Sequence, residues 1–360
     1  MKNLLLLLPF LLFISCQNGQ NSNLVAFKVP KVVYHEDQIQ YTDKQLESFL
    51  DSVSRYPTQP LADSVAFYAD SVFSHLTSAV NRQIPPADFE LLKKAALSGA
   101  IEARLARRIF GELIVDSTCT AKGLLDSVKK GSVYLEYIPF DKDTTKFDEF
   151  ALRVGDQKHC HGSELYFLKG NRIIAKQDGY SSNEDIHYYK ASDGHAIVYR
   201  EYDFGSGTGA WWLNYFFYKY DGYKLIPVLN ELQNGNSQGD LAGGRMKWLE
   251  SFVQKTNPLT IKMVYYLDFP DSSALENAPH IIDDSTTVQY LWDEKSKTLK
   301  GKYPQSKISR EQVLSYALGD NDMLFMNTYY KVLKKALSTK ANRQPILNYL
   351  NRVKNEYREN

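Results

Sequence analysis

The chain has 360 residues, 43% of them apolar and 24% charged, which is the makeup of a globular protein and excludes a collagen-like, fibrous or wholly disordered one. Lys and Arg total 43 against 42 for Asp and Glu, a net charge of +1, so no global field draws the chain to nucleic acid. Three cysteines are too few for a disulfide-dense scaffold.

The chain opens Met1-Lys2-Asn3, runs through an apolar stretch from Leu4 to Ile14 interrupted only by Pro9, and continues Ser15-Cys16-Gln17. A helix of that length rises about 16 Å, roughly half a hydrocarbon core, so the stretch is too short to span a bilayer and suits an export signal. Phe13-Ile14-Ser15-Cys16 resembles a bacterial lipobox, in which a small residue precedes the cysteine that is lipidated and becomes the mature first residue. The resemblance implies cleavage after Ser15, acylation of Cys16 with palmitate-type chains, and attachment to a membrane by a lipid anchor. Gln17 to Gln20 carry no acidic residue. Lipoproteins of the Bacteroidota tend to be acidic there when exported to the surface, so by the same resemblance the expected place is the outer membrane, facing the periplasm. An ordinary secretory signal with an incidental Cys16 is the alternative. The resemblance covers only these residues and implies nothing about the rest of the chain.

Residues 16–41 read as a tether, and residues 42–130 as a helical region. Thr42 is placed to cap a helix with Leu46, Phe49, Leu50 and Val53 at helical spacing. A second helix follows Pro60, a third opens at Pro85-Pro86, and Ala100 to Val115 reads as a fourth. Arg104, Arg107 and Arg108 on the fourth are accompanied by Glu102 and Glu112, the pattern of a solvated face laced by ion pairs.

Residues 131–304 read as strands and turns. Of the 47 aromatic residues, 29 lie between Ser132 and Tyr303, as strand propensity favours. Gly170-Asn171, Asp193-Gly194 and Asp221-Gly222 each separate two strand-like runs, a hairpin signature. No residue pattern repeats beyond those turns, so successive hairpins of one large sheet fit better than propeller blades. Trp211 to Tyr220 is apolar on both faces, as in a central strand covered on each side. Arg245 to Lys255 has Met246, Leu249 and Val253 on one helical stripe, Thr260 to Leu267 is strand-like, Ala274 to Asp284 reads as a polar loop, and Thr286 to Trp292 with Thr298 to Tyr303 as a last hairpin. Residues 305–360 read as C-terminal helices. The expected fold is α+β: a helical region packed on a large, mainly antiparallel, aromatic-rich sheet, closed by terminal helices.

His159-Cys160-His161 is the densest group of ligand-type side chains, but alternation puts only His159 and His161 on one face, and two histidines do not make a zinc site. Cys119 and Cys160 could pair in an oxidising compartment or remain two unpaired small residues. Asp203-Phe204-Gly205-Ser206-Gly207-Thr208-Gly209 lacks the lysine and the following helix of a phosphate-binding loop. It reads either as the rim of a glycan or peptide groove beside Trp211-Trp212 or as a flexible loop before a core strand. Trp211, Trp212, Tyr202 and Tyr215 are the ligand-binding candidates, since one sheet face could present several aromatic rings. No nucleophile-elbow, zincin, calcium-loop or dinucleotide motif occurs, so catalytic residues are not named and no cofactor is implied. Glu149 and Glu164 could oppose each other across strands as a glycosidase pair requires. The expected function is a noncatalytic envelope-anchored binding or scaffold protein with an envelope protein or cell-wall glycan as partner. The alternative is a periplasmic hydrolase of glycan or peptide whose residues converge only in space.

Overall fold

The computed structural model describes residues 39–111, 131–155, 163–178, 186–207, 210–237, 246–268, 280–317 and 322–358. Cys16, Cys119, His159, Cys160 and His161 lie outside them.

Helix α1 (Asp43–Val53) starts where the sequence predicts, with a capping box: Gln45 N–H donates to the Thr42 hydroxyl at 3.4 Å, and Thr42 N–H donates to the Gln45 side chain at 2.9 Å. Helix α2 (Gln59–His75) has proline in its first turn, and α3 (Pro86–Ser98) begins on one. Gly99, left-handed at φ +79°, ends α3 and sends the chain into a short strand before α4 (Ala103–Phe110). The fourth helix therefore starts three residues later than its pattern suggests.

Fourteen strands follow in chain order among the described residues: β1 (Thr77–Gln83), β2 (Ala100–Glu102), β3 (Ser132–Pro139), β4 (Glu149–Val154), β5 (Glu164–Lys169), β6 (Arg172–Asp178), β7 (His187–Lys190), β8 (Ala196–Gly207), β9 (Ala210–Asp221), β10 (Lys224–Ser237), β11 (Met246–Thr256), β12 (Leu259–Asp268), β13 (His280–Asp293) and β14 (Thr298–Gly301). Helices α5 (Arg310–Ala317), α6 (Asp322–Thr328), α7 (Tyr330–Leu337) and α8 (Lys340–Glu356) end the chain. The α+β class is as expected, and all three hairpins fall at their predicted turns. The sheet region, however, forms two antiparallel sheets. One has six strands in the order β1-β6-β5-β4-β3-β2, and the other is an eight-stranded meander from β14 to β7. β1 and β2, embedded in the helical region, supply the two edges of the first sheet.

Two further readings change. Met246 to Thr256 is a strand, not a helix, because it pairs with β12 along its whole length and with β10 at its start. Its apolar residues fall on both faces, so the helical stripe was coincidental with a strand covered on one side by core and on the other by the Trp248–Tyr266 stack, with centroids 5.3 Å apart. The polar run before Asp284 enters β13 from His280 onward, since β12 offers it a continuous ladder partner.

The layers follow from strand alternation. Phe150, Leu152 and Val154 of β4 face α3 and α4 with Leu92, Ala96 and Ile109. The opposite face, with Ala151, Leu165 and Phe167, meets Val198, Phe216, Tyr218 and Tyr220 of the second sheet. The second sheet's remaining face, with Tyr215, Phe217, Ile261 and Met263, is covered by α1 and the C-terminal helices. β9 is thus buried on both faces, as its sequence predicts, by a sheet on one side and helices on the other. Phe140 joins the sheets, its ring centroid 6.4 Å from Phe167 of β5, 5.7 Å from Tyr188 of β7 and 5.9 Å from Tyr220 of β9. The Tyr220 hydroxyl adds a bond to the Phe150 carbonyl at 2.9 Å.

Candidate functional site

The eight-stranded sheet curls until its far strands face back across its interior. Tyr290 of β13 donates its hydroxyl to Glu231 of β10 at 2.6 Å, and the Lys219 ammonium of β9 lies 4.5 Å over the Trp292 ring of β13. The seam between β10 and β14 stays open as a cavity of about 780 Å³. Pro227 to Glu231 form one wall and Thr298 to Gly301 the other; Asp70 and Phe73 of α2 and Ser309 to Glu311 at the start of α5 complete the lining.

Glu231 organises this cavity. It is 1% exposed, and four groups take up its two oxygens. Tyr290 and Tyr303 donate hydroxyls to Oε2, both at 2.6 Å, while Oε1 receives the Arg310 guanidinium and the Leu232 N–H, the latter at 3.0 Å. Burial alone would lower the Arg310 guanidinium, but the Glu231 charge overrides it and holds the group above its ordinary value. Burial pushes the Tyr290 and Tyr303 hydroxyls up, and the adjacent carboxylate pushes them further. The cluster is a fixed ion pair with two neutral donors. Asp70, at the cavity mouth, is open to solvent on one side. Its carboxyl is raised by the water-poor wall on the other, against a 3.5 Å bond from the Asn230 amide.

Gly301 permits the packing of both tyrosines. A Cβ there would stand 2.9 Å from Cε1 of Tyr290 and 2.9 Å from Cε2 of Tyr303, rings that their hydroxyl bonds hold in place. Gly301→Ala is expected to destabilise the protein by about 1–3 kcal/mol, read as a lower denaturant midpoint at unchanged slope. A wild-type midpoint would mean that the rings are free to move.

A second cavity of about 370 Å³ lies at the hairpin end of the curled sheet, lined by Tyr189, Asp193, Lys219, Pro258 and Trp292 among others. Lys219 pairs with Asp193 in addition to covering Trp292. Tyr290 and Leu299 border both cavities.

Glu149 is buried between the sheets. It accepts the Ala196 N–H at 2.7 Å and faces His195 Nδ1 at 2.6 Å, Lys190 at 3.2 Å and Lys169 at 3.4 Å. Burial pulls its carboxyl up, yet the Ala196 N–H, His195 and Lys190 outweigh burial and the group ends below its ordinary value. A carboxyl lowered on folding stabilises the native state above its unfolded-state pKa, and that contribution fades as pH falls through the folded value. Glu149→Gln is therefore expected to flatten the acid limb of a stability–pH curve below about pH 4.5. A limb as steep as in the wild type would contradict this assignment.

The sequence candidates are not gathered in one place. Tyr215 is buried, its hydroxyl bonded to the Ser251 carbonyl at 3.1 Å, while Tyr202 lies on the opposite face beside Phe216, with centroids 5.6 Å apart. Trp212 packs half-buried against the helix-side core. Trp211 pairs with Ser206 and Asn236 through its backbone, and its side chain lies outside the description. The glycine-rich run is not a loop up to Gly207: Gly205, Ser206 and Gly207 are rungs of the β8–β9 ladder. Glu149 and Glu164 sit on rungs paired with Lys169 and Val154, five residues or roughly 17 Å apart along the ladder and on opposite faces, too far to share one glycosidic bond. Among the described residues no group of three His, Cys, Asp or Glu could hold a metal, and no helix is long and apolar enough to cross a membrane.

The chain matches no protein-family model, no curated protein and no solved structure.

Proposed function

We propose that the chain is a lipid-anchored protein of the cell envelope, held through Cys16 and facing the periplasm, that binds a partner ligand in the seam cavity without transforming it. The observation that carries the binding reading is the cavity itself. Its volume falls in the range of small-ligand and side-chain pockets, and its apolar walls converge on a few fixed polar groups. Glu231, the most deeply buried carboxylate in it, has both oxygens engaged, which suits a group that shapes a wall rather than one that exchanges a proton. The anchor rests on the Ser15-Cys16 resemblance.

One experiment tests both parts: cross-linking in native envelopes with wild type, Cys16→Ala and Thr298→Trp, which places an indole at the cavity wall. The expected result is a partner captured by the wild type and lost with Thr298→Trp, and a shift of the Cys16→Ala protein from the membrane to the soluble fraction. Capture unaffected by Thr298→Trp overturns the cavity reading, and membrane retention of Cys16→Ala overturns the anchor.

The hydrolase reading has one observation in its favour. Asp70 lines the cavity with its carboxyl raised by burial, a property general acids share. Turnover of a glycan or peptide by the wild type, abolished in Asp70→Asn, would replace the binding reading.

A further inference from the structure

Resting on the binding reading above, we infer that the seam cavity receives a cationic group on an aliphatic stem, the ammonium or guanidinium of a lysine or arginine side chain in a peptide. The inference comes from the charges that line it. Its two cations are both committed: Arg310 to Glu231, and Lys300 to Asp293. Of its three carboxylates, Glu231 is paired with Arg310, while among the described residues Asp70 has an amide in contact with the Arg310 charge nearby, and Glu311 has no side-chain partner. The lining thus carries one more negative than positive charge, and burial raises the Asp70 carboxyl by more than the Asn230 amide and the Arg310 charge lower it.

An anionic ligand would be repelled by that wall. A divalent metal would find two carboxylates where calcium takes six to eight oxygens. An organic cation needs neither charge reversal nor further ligands, and Phe73, Val228 and Leu299 offer apolar surface for the methylene stem. The pocket then reads the end of a long side chain and leaves the peptide backbone at the cavity mouth.

The test is calorimetric titration of the full-length protein with acetyl-Leu-Lys-Leu-amide, its norleucine counterpart, in which a methyl group replaces the charged end, and its glutamate counterpart. The lysine peptide is expected to bind at least about tenfold more tightly than the norleucine peptide, and the glutamate peptide not at all. Asp70→Asn combined with Glu311→Gln should erase that preference while leaving norleucine binding unchanged. Equal binding of the lysine and norleucine peptides, preference for glutamate, or a preference that survives the double variant overturns the inference. Absence of binding by every peptide overturns it too; the Thr298→Trp cross-linking result then says separately whether the cavity binds anything.

Discussion

Glu231→Ala is expected to lower stability by about 2–4 kcal/mol, somewhat under the loss seen when one member of a fully buried ion pair is removed, because the Arg310 side chain is 32% exposed. The substitution leaves Arg310 without its counter-charge and takes the acceptor from both Tyr290 and Tyr303, and hydroxyls stranded in a wall add their own desolvation penalty. Glu231→Leu with Arg310→Met removes both charges and should recover most of the loss, because an apolar pair of similar volume replaces a buried ion pair at little cost. Equilibrium unfolding in urea reads all three proteins. A Glu231→Ala midpoint close to the wild type would mean that Arg310 reaches water or another partner, and that the cluster does not hold the seam.

Phe140→Ala is expected to cost about 3–5 kcal/mol, as for a large ring removed from a site that cannot collapse. Phe140 is fully buried and touches rings from both sheets, so the cavity it leaves lies between two rigid ladders. The same change should loosen the sheets from each other. Hydrogen exchange at the β5 and β9 amides is expected to accelerate by sub-global opening, beyond what the drop in global stability explains. Exchange that accelerates only in step with global stability would show that the sheets open as one unit.

The parts of this fold that were legible in the sequence are the local ones. Asp193-Gly194 and Asp221-Gly222 announce their hairpins because a two-residue turn needs residues that tolerate positive φ, and Gly194 and Gly222 adopt it at +83° and +58°. Thr42 and Gln45 announce α1 by their own side chains. The division into two sheets was not legible, because β4 and β5 alternate apolar residues on both faces as β8 and β9 do, and nothing local says which face meets a sheet and which meets a helix. Met246 to Thr256 shows the same limit. Three apolar residues on a helical stripe were outweighed by two neighbouring strands with ladder groups to satisfy.

The site was less legible still. Tyr290, Tyr303 and Arg310 are 59, 72 and 79 residues from Glu231 in the chain, and only the curl of the sheet brings them together. A signal was present in the lone carboxylate within Leu225-Ile226-Pro227-Val228-Leu229-Asn230-Glu231-Leu232. A charge in the middle of a strand otherwise rich in apolar residues needs a partner. The partner could not be named, because bulges at Pro227/Leu229 and Leu232/Asn234 shift the register and hide which face Glu231 takes.

The two ends of the described chain meet. Asn355 and Asn351 of α8 accept the backbone N–H groups of Ile39 and Tyr41, each at 3.0 Å, across 316 and 310 residues of sequence, and α1 buries Leu46, Leu50 and Val53 in a core shared with α8. Asn327 also donates to the Val53 carbonyl at 2.9 Å, so these partners of α1 lie 274 to 316 residues further along the chain, and loop closure over that distance precedes its native packing. α1 is therefore among the last elements to reach its native packing, however early its capping box lets the helix itself form. Under the export proposed above that delay is an advantage, because threading a membrane requires an unfolded polypeptide.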